Sequence, residues 1–89
     1  MNINYMAIDS AVWNIKAILM RKYGSAAADR DIAPLAWYIT TGRASTGFLH
    51  LLLEAKPFMI ARKLHQAGSY DDAIKAICNY IHYERSNEQ

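Results

Sequence analysis

Apolar residues recur at steps of three and four along nearly the whole chain, and the rhythm breaks at Gly24, Gly42, Lys56-Pro57 and Gly68. Such steps place side chains on one face of an α-helix, and glycine and proline are the residues that end helices. No stretch alternates in the manner of a strand, and no segment repeats. The spacing therefore predicts an all-α fold, a compact single-domain bundle of four to five short helices over residues 1–89, with 85–89 a polar tail. Eighty-nine residues hold one hydrophobic core and leave no room for a second.

Tyr5, Ile8, Val12, Ile15 and Leu19 form the first stripe, started by Asn4 or Ser10 and closed by Gly24, with Arg21 and Lys22 in the last turn where cations suit the helix dipole. Residues 25–31 read as a linker or a fraying extension. Asp31 is placed to cap a second helix with Pro34 in its first turn, where amides have no intrahelical acceptor. Ile32, Leu35, Ala36 and Ile39 are its stripe and Gly42 its end. Ser45 caps a third helix, apolar nearly all round through Phe48, Leu49, Leu51, Leu52 and Leu53, which makes it the expected central helix. Pro57 opens a fourth helix running to Gly68. Ser69 caps the last, with Asp71 and Asp72 facing the positive end of its dipole and Tyr70, Ile74, Ile77 and Ile81 as its stripe.

Composition adds a second expectation. Hydrophobic residues make up 53% of the chain, above the roughly 45–50% usual for soluble domains. The excess points to a partner surface or a self-association face, with a homodimer as one form. The formal charge of +2 falls short of the dense basic stripe of a dedicated nucleic-acid binder. One cysteine excludes an intramolecular disulfide and fits a reducing compartment. No apolar run approaches the roughly 20 residues of a membrane span, and the first ten residues lack the features of a secretion signal. A cytoplasmic location is expected, with no membrane partner.

The segment "TGRASTGFLHLLL" sets Gly42 and Gly47 in the G-x-x-x-x-G spacing of a phosphate loop. Phe48 and Leu49 stand where that loop needs lysine and a hydroxyl, so the segment reads as punctuation between two helices. There Gly42 supplies a left-handed turn, and Gly47 admits a close backbone approach. Cys78 and His82 share a helical face four residues apart, which is half of a zinc site with no second half. The acids fill cap and surface positions, and no nucleophile stands with a base beyond that same pair, so no enzyme, metal or cofactor is expected.

Residues 38–54, "YITTGRASTGFLHLLLE", followed by "DDAIKAICNYIHYE", resemble a recurring pattern in small uncharacterised proteins of phages, prophages and plasmids. Tyr38, Gly42, Arg43, Gly47, Phe48, Leu49, Leu53, Asp71, Ile77, Tyr80 and Ile81 carry the resemblance, which spans about the last half of the chain. Ala44-Ser45 stands where proline is common in that pattern, and Pro57 follows the central helix. The resemblance implies a mobile-element origin, an accessory role in a bacterial host cell and no reaction. Small size and the lack of assembled chemistry then lead to a non-enzymatic protein that binds a host protein. Inhibition of a host or host-defence protein, in the manner of anti-CRISPR proteins, is its most concrete form. Tyr80, Tyr83 and Arg85 on the last helix are the expected contacts, with Arg43 and Arg62 next, because Tyr and Arg are favoured at interfaces. The alternative is a small DNA-associated transcriptional regulator using Lys16, Arg21, Lys22, Arg62 and Lys63.

Overall fold

The computed structural model describes the backbone of residues 3–87 and the side chains of residues 3–83. Five helices run in order: α1 (Tyr5–Tyr23), α2 (Ser25–Thr40), α3 (Thr46–Glu54), α4 (Pro57–Gln66) and α5 (Tyr70–Asn87). Their ends follow from local chemistry. The Asn4 side chain accepts the amides of Met6 and Ala7, Ser45 Oγ accepts that of Phe48, and Ser69 Oγ accepts that of Asp72. Each bond satisfies an amide that has no acceptor inside its own helix. Pro57 opens α4, where its missing N–H costs nothing.

Gly24 is the whole connection between α1 and α2. Its amide donates to Met20 O at the end of α1, and its carbonyl accepts from Ala28 at the start of α2. A one-residue reversal needs a left-handed backbone, and Gly24 has φ +92°. This corrects the expected linker: Ser25, Ala26, Ala27 and Ala28 are the first turn of α2, and Ala28 is fully buried. Alanine is the strongest helix former, so the segment propagates as soon as Gly24 has turned the chain. Pro34 consequently lies inside α2, where it removes one ladder bond, and tertiary packing of Ile32 and Leu35 outweighs that loss.

Asp31 is no cap. It sits inside α2, 6% exposed, with Oδ2 2.6 Å from Nδ1 of His65 on α4 and Oδ1 accepting from Arg30 Nε at 3.1 Å. An ionised carboxylate only accepts hydrogen bonds, so the imidazole Nδ1–H donates. The His65 ring in turn stacks on Tyr23 at the end of α1, centroids 3.5 Å apart and planes within 5°. One buried carboxylate thereby connects three helices.

α1 packs against α2, α3 and α4, while α5 closes the bundle against α2, α3 and α4. Ile8, Ile15, Leu19, Leu35, Ile60 and Ile77 are the large side chains buried most completely. The central helix is therefore α1 rather than α3. With nine residues, α3 is only about 13 Å long, too short to line a bundle 35 Å in its longest dimension. Phe48, Leu49 and Leu52 reach the core, and Leu53 stays exposed. Two smaller expectations also change. Tyr5 points mostly to solvent, so the α1 stripe begins at Ile8. Gly47 admits no close backbone neighbour, since a Cβ there would meet only Ser45 Oγ at 3.8 Å. Gly42, at φ +76°, is the left-handed turn that its position predicts.

Removing the acceptor of a buried hydrogen bond leaves its donor unsatisfied. Asp31→Ala is expected to lower unfolding stability by about 1–2 kcal/mol, because it removes the hydrogen bond to His65 while leaving that imidazole partly in reach of water. Asp29→Ala breaks only the surface pair with Lys16 and should cost less than about 1 kcal/mol. Urea unfolding of the two variants checks the contrast.

Candidate functional site

The α5 stripe is Ala73, Ile77, Tyr80 and Ile81, stepping by four, three and one. That register turns Tyr80 inward. Its ring is 7% exposed and belongs to the core, which corrects the expectation that it stands to the side as a contact residue. Tyr83, two positions past the stripe, is 64% exposed. The Arg85 side chain lies outside the described residues.

Tyr83 stands at one edge of a cleft of about 590 Å³ between α4 and α5, lined also by Met59, Lys63, Ala76, Asn79 and the edge of Tyr80. Arg62, exposed on α4, lies three residues from Met59 and so shares its face. Phe58, half exposed, lies one turn before Arg62 on the same helix. The structure thus sets Tyr83 and Lys63 on the lining of one cleft, with Arg62 exposed on the outer side of α4 and outside that lining. Arg43 is elsewhere, at the α2–α3 corner, beside a second cleft of about 500 Å³ with Tyr38, Tyr70, Asp71, Ile74 and Lys75.

The residues of the DNA-associated alternative divide. Lys16 is engaged, 3.2 Å from Asp29 and over the Trp13 ring at 5.8 Å. Arg21 and Lys22 adjoin Tyr23, while Arg62 and Lys63 are within one turn of His65, so the Tyr23–His65 stack brings both pairs to the same end of the bundle. That convergence of cations from α1 and α4 is not visible in the sequence.

Cys78 and His82 stand in different environments. The Cys78 thiol is half-buried beside the Tyr38 hydroxyl, whereas His82 is exposed. No group of three His, Cys, Asp or Glu among the described residues is arranged to hold a metal ion. No helix among them is long and apolar enough to cross a membrane. Sequence spacing missed the Tyr38–Cys78 pair because its members are forty residues apart on α2 and α5.

Burial pushes the Tyr38 phenol up from its ordinary pKa, helped by Cys78 and Tyr70 nearby. Burial also raises the Cys78 thiol, against the Tyr38 hydrogen bond, which lowers it. Both groups fold protonated, so their contribution to stability is complete below the ordinary thiol range and is lost as pH rises through the raised values. Stability should decline from about pH 9 upward. A Tyr38→Phe/Cys78→Ala variant should decline less steeply, as urea midpoints across that range would show.

Comparison with protein-family models, curated proteins and solved structures finds no match to this chain.

Proposed function

We propose that this chain is a non-enzymatic accessory protein of a phage or related mobile element, and that it acts by occupying the surface of a host or host-defence protein. The α4–α5 face is the binding surface. The single observation that supports this most is Tyr83 standing exposed at the edge of the α4–α5 cleft, with Lys63 on the same lining and Arg62 exposed next to it in sequence on α4. A large aromatic held by a rigid helix contacts a partner at little entropic cost, and Tyr and Arg dominate the energetics of protein interfaces. Neither Arg62 nor Lys63 has an ion-pair partner among the described residues, so an acidic rim around an apolar centre is the complementary partner surface. The resemblance of residues 38–54 to small phage and plasmid proteins supports the origin.

The test is retention of host proteins from nuclease-treated bacterial lysate on the immobilised chain. One protein should be enriched by the wild type and its recovery reduced about tenfold or more by Tyr83→Ala and by Arg62→Glu. Equal retention by wild type and both variants would contradict the assignment of the face.

The second reading, a DNA-associated regulator, draws support from the convergence of Arg21, Lys22, Arg62 and Lys63 at one end of the bundle. It requires duplex affinity that falls with salt at a log–log slope near −0.9 per phosphate contacted. The Lys22→Glu/Lys63→Glu variant should flatten that slope, and absence of duplex binding at low salt removes the reading.

A further inference from the structure

Among the described residues, none packs over the outer face of α1 along Met6, Trp13 and Met20. Met6, Trp13 and Met20 are spaced by seven and are 80%, 60% and 40% exposed. A seven-residue step drifts only about 20° around a straight helix, so the three side chains project within about 40° of one another. They form a stripe about 21 Å long on the side of α1 away from the core. Ser10 and Ala17, both small, fill the positions between them. This is a helical seam turned outward, on the helix that also organises the core, and among the described residues α1 does not pack against α5, which carries Tyr83.

We infer that this stripe pairs with the same stripe of a second copy of the chain, antiparallel, about a two-fold axis beside Trp13. A two-fold contact requires a self-complementary patch, and the stripe has that symmetry. Reversal about Trp13 sets Met6 against the partner's Met20, and Trp13 against the partner's Trp13.

The flanking charges choose the direction. Asp9 and Lys16 line the α1–α2 groove together with Trp13, and the helical step of about 100° per residue puts both on the same flank of the stripe, about 40° and 60° from Trp13. In the antiparallel pair these flanks adjoin, and Lys16, about 4.5 Å above Trp13, meets the partner's Asp9 at about 6 Å on the same side. Two symmetric ion pairs result. Asp9 has no ion-pair partner in its own chain among the described residues, and the one carboxylate paired with Lys16, which also lies over the Trp13 ring, is the exposed Asp29. A parallel pair would place the charged flanks on opposite sides and pair neither. A foreign helix would have no need of a seam symmetric about its middle residue.

Sedimentation equilibrium of the full chain tests the inference. The mass should rise from 10.1 kDa toward twice that value between micromolar and millimolar concentration. Trp13→Glu should hold it at one protomer with an unchanged helical circular-dichroism spectrum. Asp9→Lys should weaken association about tenfold or more, and adding Lys16→Glu should restore it. Direction is read in a Cys78→Ser background. There, Met6→Cys together with Met20→Cys should oxidise to a covalent dimer, and Met6→Cys alone should not. One-protomer mass at millimolar concentration would overturn the inference and leave the stripe to a partner of another sequence. A dimer indifferent to Trp13→Glu, or cross-linked by Met6→Cys alone, would overturn it equally.

Discussion

The Asp31 carboxylate is buried in a domain with few buried polar side chains, and a buried charge must be paired where it sits. His65 supplies the pairing and Tyr23 stacks on the face of the imidazole. This fixes the end of α1 against the last turn of α4 and sets both beside the middle of α2. With those three helices in register, Ile8, Ile15, Leu19, Leu35 and Ile60 meet in one core, and α3 and α5 complete it. Hydrophobic burial provides most of the driving force, but it is non-directional. The carboxylate–imidazole bond is directional, and it fits only one of the arrangements that similar amphipathic helices could adopt.

Much of this is legible in the chain, because helix ends are written in local chemistry. Asn4, Ser45, Pro57 and Ser69 start helices where the caps say they should, and Gly24 and Gly42 turn where a left-handed residue is needed. Local signals mislead where two of them compete. Asp31 before an apolar segment looks like a cap, yet the alanines before it already propagate α2 from Gly24. The density of leucines in α3 suggests a central helix, but length decides that role, and α1 has 19 residues against nine.

Tertiary pairing is the part that spacing does not encode. His65 lies 34 residues from Asp31, and Tyr38 forty from Cys78, with no periodicity to join them. Tyr80 and Tyr83 are three apart on one helix, yet one is core and the other surface, because the register of α5 is set by Ala73 and Ile77 against neighbouring helices. The outward stripe of α1 was open to inspection all along, as a methionine, a tryptophan and a methionine seven residues apart. Its meaning depends on knowing which face of α1 is already occupied.

Folding and the proposed binding then fall to different side chains. The inner faces of the five helices supply the core, while Trp13, Trp37 and Tyr83 stand more than half exposed and contribute little to it. The most direct test is unfolding of a Trp13→Ser/Trp37→Ser/Tyr83→Ser variant at micromolar concentration, beside Ile77→Ala. The triple variant should lie within about 1.5 kcal/mol of wild type, as surface substitutions do, while Ile77→Ala loses about 2–5 kcal/mol. A triple variant destabilised as much as Ile77→Ala would show that these aromatics belong to the fold, and would contradict the separation of a core from a binding surface.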